Sequence, residues 1–115
     1  MSAHILAEGR LITDVSVREL ANGSLMANTA IAVRVDSRSE ELDGSMVFGV
    51  VCFGEAAEQL RLHGKGDTIA VSGTLQRQVY NGEVRHSVLA DGVESARTSR
   101  ERARQRNSDR AKAAA

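Results

Sequence analysis

The side chains able to do chemistry are few. Only three aromatic rings occur, Phe48, Phe53 and Tyr80, and there is no tryptophan. His4, His63 and His86 stand far apart, none four residues from another, so no helical metal pair or catalytic dyad is spelled out. The lone cysteine, Cys52, excludes an internal disulfide and a cysteine-based zinc cluster. Its place in an apolar run suits a small buried residue better than a nucleophile. Gly64-Lys65-Gly66 lacks the glycine spacing of a phosphate cradle, and no nucleophile elbow is present. An enzyme is not indicated, and no cofactor or metal is implied. What remains is cation chemistry near the C-terminus, where Arg100, Arg102, Arg104 and Arg106 alternate with Glu101, Ala103 and Gln105. Extended, the four arginines project on one side; helical, Arg102 and Arg106 align at i,i+4. Either form can follow a phosphate backbone without reading bases. Two blander readings compete: a tail lying on its own acidic body, or one that only solubilises.

The elements that must position these residues fit one small domain of 115 residues, 42% hydrophobic. No apolar run approaches the roughly 18 residues of a membrane span, and Met1-Ser2-Ala3-His4 does not open an export signal, so a soluble cytoplasmic protein is expected. The formal net charge of zero hides an asymmetry: residues 97–115 carry seven basic and two acidic side chains, net +5, which leaves −5 on the first 96. No Val, Ile, Leu, Phe or Tyr follows Val93, so the tail has nothing with which to build a core. A boundary near Ala96 therefore separates a domain, 1–96, from a basic tail, 97–115. The tail is expected to be solvated and disordered in the free protein, and partly helical when bound.

The body alternates strands and turns. Strand-like segments run over His4–Thr13, Met26–Val35, Val47–Phe53, Thr68–Tyr80 and Val84–Val93. Val47–Phe53 reads as buried on both faces. Gly73 marks a bend or bulge. Asn22-Gly23 and Asp43-Gly44 are turn signals, and Asn81-Gly82 predicts a hairpin. Glu55–Leu62 has helix formers, no β-branched residue, and Gly64 as a stop. Five strands with a short helix between the third and fourth is the order of an OB-fold, an all-β Greek-key barrel. Strand alternation sets Gln76, Gln78 and Tyr80 opposite Leu75 and Val79, so Tyr80 should point away from the core. Phe48 reads as a core or interface ring.

Several blocks resemble the bacterial single-stranded DNA-binding protein family. They are Gly9-Arg10-Leu11 with Asp14; Val17-Arg18, Asn22-Gly23 and Ala27-Asn28; Val50-Val51-Cys52-Phe53-Gly54 with Ala57-Glu58; Lys65 to Leu75; and Ala90-Asp91. They run in order over residues 5–93. The resemblance implies sequence-independent binding of single-stranded DNA in replication, recombination or repair, with bases stacked on rings and phosphates met by cations. It puts Phe53 and Tyr80 at stacking positions and Arg18 and Lys65 at phosphate-contacting ones. Arg34, Arg77 and Arg85 are weaker candidates, equally suited to solvated strand faces, and Arg100, Arg102, Arg104 and Arg106 are candidate tail contacts. The resemblance also implies a homo-oligomer, tetramer or dimer, in the bacterial cytoplasm beside the nucleoid, with replication proteins as further partners.

The chain also departs from the pattern. Val47 and Ser37 replace rings, Gly49, Gln76 and Gln78 replace cations, and Glu55 reverses a charge. Losing two stacking rings costs roughly 2–6 kcal/mol, and fewer cations mean less counterion release. The barrel alone is therefore expected to bind weakly. The end, Arg110 to Ala115, lacks the acidic, apolar tip by which long-known members recruit partners. Two alternatives follow: an accessory barrel acting through protein contacts, similar to primosomal replication protein N, or an OB-fold scaffold that no longer binds nucleic acid.

Overall fold

The computed structural model describes residues 2–35 and 44–95, together with 104, 106–108 and 110. The elements are β1 (His4–Leu11), β2 (Ser16–Glu19), β3 (Leu25–Val35), β4 (Gly44–Phe53), α1 (Gly54–Leu60), β5 (Thr68–Tyr80) and β6 (Glu83–Glu94). β2, a short exposed strand hydrogen-bonded to β3, is the one element the alternation does not reveal. The other five are the expected strands, with α1 between the third and fourth of them. They close into a barrel: β1 pairs with β5 along His4–Arg10 and with β3 at Arg10 and Leu11. From β3 the ring continues through β4 and β6 back to β5, with β4 and β6 parallel and the other neighbours antiparallel. This is the OB-fold.

The core follows from period-two alternation. Leu11, Ile31, Val50, Cys52, Ile69, Val71 and Val88 point inward and are essentially inaccessible. With only three rings available, Phe48 is the only aromatic in this core. Helix α1 places Ala56, Ala57 and Leu60 on one face, at the spacing a helix needs to bury a stripe, and packs against β3, β4 and β6. Arg61, whose amide bonds to the Ala57 carbonyl, ends it. Behind the helix, the His63 ring is buried between the Leu60 carbonyl, 3.3 Å from Nδ1, and the Ser95 hydroxyl, 2.6 Å from Nε2. It ties the helix end to the point where the chain leaves β6.

Gly73 is the expected irregularity, and its cause is steric. Between Ser72 and Gly73 the β5–β6 register slips, pairing Ser72 with Gly92 but Gly73 with Ala90, so Asp91 is the extra residue of a bulge. The slip switches the inward parity of β6, which buries Val88 and Ala90 before it and Val93 after it. A Cβ on Gly73 would collide with the Leu89 carbonyl oxygen, a backbone atom that cannot swing aside. At the other end of the hairpin, Asn81 (φ 51°) and Gly82 (φ 80°) form the two-residue turn that the Asn-Gly pair predicts.

One expectation needs correction. Val47–Phe53 is buried on one face only: Phe48, Val50 and Cys52 are inside, while Val47 and Phe53 are exposed. The reason is that α1 plugs the barrel end and no described element covers the outer face of β4. In the tail, Arg104, Arg106, Asn107, Ser108 and Arg110 have helical backbone and are exposed. Arg100 and Arg102, and Ser37 and Asp43 before β4, lie outside the described residues. No helix among the described residues is long and apolar enough to cross a membrane.

Three stability predictions follow. Gly73→Ala forces backbone apart and should cost at least about 1–3 kcal/mol, seen as a thermal midpoint lower by roughly 10 °C. Gly92→Ala should cost less, because its closest neighbour is the rotatable Ser72 hydroxyl at 2.5 Å. Burial pushes the Cys52 thiol up from 9.0 to about 11. The folded chain then keeps a proton that the unfolded chain releases, so this contribution is intact below pH 9 and is lost between about 9 and 11. The loss is roughly 2–3 kcal/mol. Denaturant titrations across that range should show Cys52→Ala flattening the alkaline decline.

Candidate nucleic-acid interface

The outer face of β2, β3, β4, β6 and β5 is assembled by register. Arg18 pairs with Met26, and Met26 with Phe53, so the three stand in one row on one face. The Arg18 guanidinium lies along Met26, with Nη2 4.0 Å from Sδ. The next rows mix small, polar and aliphatic side chains: Asn28 beside Val51, Val51 beside Leu89 and Leu89 beside Thr74; then Ala30 beside Gly49, Gly49 beside Ser87 and Ser87 beside Gln76. Gln78 pairs with Arg85 and Tyr80 with Glu83 at the far end.

Phe53 and Tyr80 are 47% and 59% exposed, which leaves ring surface for a stacking partner. They occupy opposite ends of this face. Cys52, next to Phe53, pairs with Ala90, and Tyr80 pairs with Glu83, seven residues earlier on β6. At about 3.3 Å per residue the rings are on the order of 25 Å apart. A single strand crossing between them would span several nucleotides, within the roughly 4–16 that one OB-fold engages.

Tyr80 points outward as expected, but Val79, on the other side of the strand, is 72% exposed and not in the core. The hairpin extends past the barrel there, so both of its faces meet solvent. Val79 pairs with Val84, itself 52% exposed. Arg77 shares the face of Val79 and pairs with His86, so the structure does not bring it to the side of Tyr80. Arg34 is on the outer face at the end of β3, opposite Ser45. Arg85 is beside Tyr80, its Cζ 5.0 Å from the ring centroid.

Lys65 sits in the loop before β5. Its amide donates to Asp14 Oδ1 at 2.9 Å, and the Gly64 amide donates to Asp67 Oδ2 at 3.0 Å. Both carboxylates are thereby engaged in shaping the loop. Lys65 lines a shallow groove of about 270 Å³ with Arg10, Leu11, Ile12, Ala32 and Gly66. Arg10 was not singled out by the residue pattern. Its signal was its outward parity on the first strand, next to buried Leu11, but its proximity to Lys65 depends on barrel closure. A second groove, about 620 Å³, opens where the start of β4 and the hairpin splay apart. Val47, Gln78, Val84, Arg85 and His86 are among its lining residues.

Comparison with known proteins agrees with this architecture. The profile of the single-strand binding protein family matches residues 2–107. Three solved structures are similar in fold. The small single-stranded DNA-binding protein from Streptomyces coelicolor has a TM-score of 0.65 at 24% identity, over 81% of this chain and 93% of that one. The second single-stranded DNA binding protein of Mycobacterium smegmatis gives 0.66 at 20%, over 86% and 93%. A deletion mutant of the Thermus aquaticus single-stranded DNA binding protein gives 0.64 at 23%, over 82% of this chain but 40% of that one. Among curated proteins, none matches. With a family match across the whole barrel and the barrel's topology in agreement, the chain belongs to the single-strand binding protein family, whose members bind DNA and are not enzymes.

Proposed function

We propose that this protein binds single-stranded DNA without reading its sequence, on the outer face that runs from Phe53 to Tyr80. The observation that carries this reading is the register. Two half-exposed rings mark the two ends of one sheet face that no described element covers: Phe53 in the row of Met26 and Arg18, and Tyr80 with the Arg85 guanidinium over it. Bases stack on Phe53 and Tyr80, since every base offers a π-face. Arg18 and Lys65 meet phosphates, with Arg10 beside Lys65 as a further cation. The face between the rings carries small side chains and amides, so few phosphates are neutralised and the salt dependence is shallow. The exposed tail arginines Arg104 and Arg106 add sequence-blind charge.

Self-association fits the same reading. β1 pairs with β3 only at Arg10 and Leu11, so the second edge of His4–Gly9 has no partner strand among the described residues. Leu6 on that strand is 76% exposed. An oligomer would join several weak sites into one tighter platform. Family membership supports a role in DNA replication, recombination or repair, beside DNA in the cytoplasm. A second reading, an accessory barrel acting through protein contacts, is favoured by the exposed Val79–Val84 pair on the other face of the hairpin.

Fluorescence anisotropy of labelled oligo(dT) at several lengths and two salt concentrations tests the proposal. Binding should strengthen with length and weaken modestly with salt. Phe53→Ala should remove roughly 1–3 kcal/mol, from about fivefold to about a hundredfold in affinity. Binding indifferent to Phe53→Ala would reject the stacking assignment, and no binding at low salt would favour the accessory reading. Sedimentation should give a mass that is a multiple of the 12.3 kDa chain; a monomer at micromolar concentration would remove the oligomer from the proposal.

A further inference from the structure

Arg85 and Tyr80 form a pair that phosphate binding alone does not account for. The Arg85 Cζ lies over the Tyr80 ring, 5.0 Å from its centroid. Register explains the approach: Tyr80 is opposite Glu83 and Gln78 is opposite Arg85, which makes Arg85 the diagonal neighbour of Tyr80 on the same face. A guanidinium within about 6 Å of a ring centroid is attracted by the negative face of the π-system, and its planar shape suits stacking. One face of the ring is therefore covered by a cation. Tyr80 as a whole is still 59% exposed, so much of its surface meets solvent with Arg85 in place.

The position makes such a partner useful. Tyr80 is the last residue of β5, immediately before the Asn81-Gly82 turn, in a hairpin that projects beyond the core. Its cross-strand neighbours are polar or exposed side chains rather than a packed wall. A base stacking on a loosely held ring must order that ring, and the ordering reduces affinity. A ring already held loses less freedom on binding.

We propose that Arg85 is a positioning residue: it braces the Tyr80 ring from one face, leaving the other as the platform on which a nucleobase stacks. Base, ring and guanidinium then make one three-layer stack. This inference rests on the single-strand-binding reading above, and it assigns Arg85 to the ring instead of to a phosphate. Glu83, directly across from Tyr80, supports that assignment, because its carboxylate repels a phosphate approaching the same spot.

The full-length chain has one tyrosine and no tryptophan, so its intrinsic fluorescence reports on Tyr80 alone. Time-resolved anisotropy of that signal, without DNA, should show faster local ring motion in Arg85→Ala and intermediate motion in Arg85→Lys. Unchanged motion in Arg85→Ala overturns the brace. Titration with oligo(dT) over a range of salt should then show Arg85→Ala binding about two- to fivefold more weakly. The salt slope should be unchanged, and Arg85→Ala should cause no further loss in a Tyr80→Ala background. A slope reduced by about one phosphate, with the loss persisting in that background, makes Arg85 a phosphate contact and overturns the proposal. If Tyr80→Ala binds like the parent chain, the stacking reading fails at this ring and the three-layer stack with it. The DNA-free anisotropy still decides whether the brace exists, so the two failures are told apart.

Discussion

The close approach of β5 and β6 at Gly73 is the constraint on which the rest of the structure depends. A barrel with so little aromatic volume must bring its strands near enough for Val, Ile and Leu to fill the interior. At Gly73 the backbone of Leu89 and Ala90 occupies the space any side chain would need. The register slip beside it lets β6 serve the interior at both ends, through Val88 and Ala90 on one side and Val93 on the other. Without it, one end of β6 would turn its apolar residues to water. The same strand pair continues outward as the hairpin that carries Tyr80 and Arg85, so the geometry of the outer face is inherited from the closure of the core.

That outer face is chemically sparse, and its sparseness has a consequence. Between Phe53 and Tyr80 the rows present alanine, glycine, serine, glutamine and asparagine, with Val51 and Leu89 as the larger apolar members. Such a surface neither repels a polyanion strongly nor draws it from a distance, so the proposed reading places the affinity at the two ring ends. Arg18 lies against Met26 and Arg85 against Tyr80. In both cases a guanidinium rests on a soft, polarisable partner, which steadies a long side chain at low entropic cost. The acidic body and basic tail, −5 and +5 by formal charge, add a long-range term of opposite sign at the two ends of the chain.

The hairpin also shows why a strand face is a local property. Val79 follows the alternation that buries Ile69 and Val71 on the same strand, yet it is exposed because the barrel wall has ended by that point. The two faces of the hairpin tip therefore differ in chemistry without differing in burial. One carries the Tyr80–Arg85 pair and the other a Val79–Val84 pair.

The five long strands, the short helix after Phe53, the Asn81-Gly82 hairpin and the glycine at the bulge are legible in the residues alone. Each rests on local chemistry: period-two alternation, helix-forming residues without β-branching, and backbone angles that Asn and Gly tolerate. The outward direction of Tyr80 is legible there too, since parity needs no knowledge of neighbours. Tertiary structure alone decided the exposed outer face of β4, which depends on nothing packing over it. It alone set Arg10 beside Lys65 and the row from Arg18 to Phe53, because these neighbours come from strands whose register the sequence does not print.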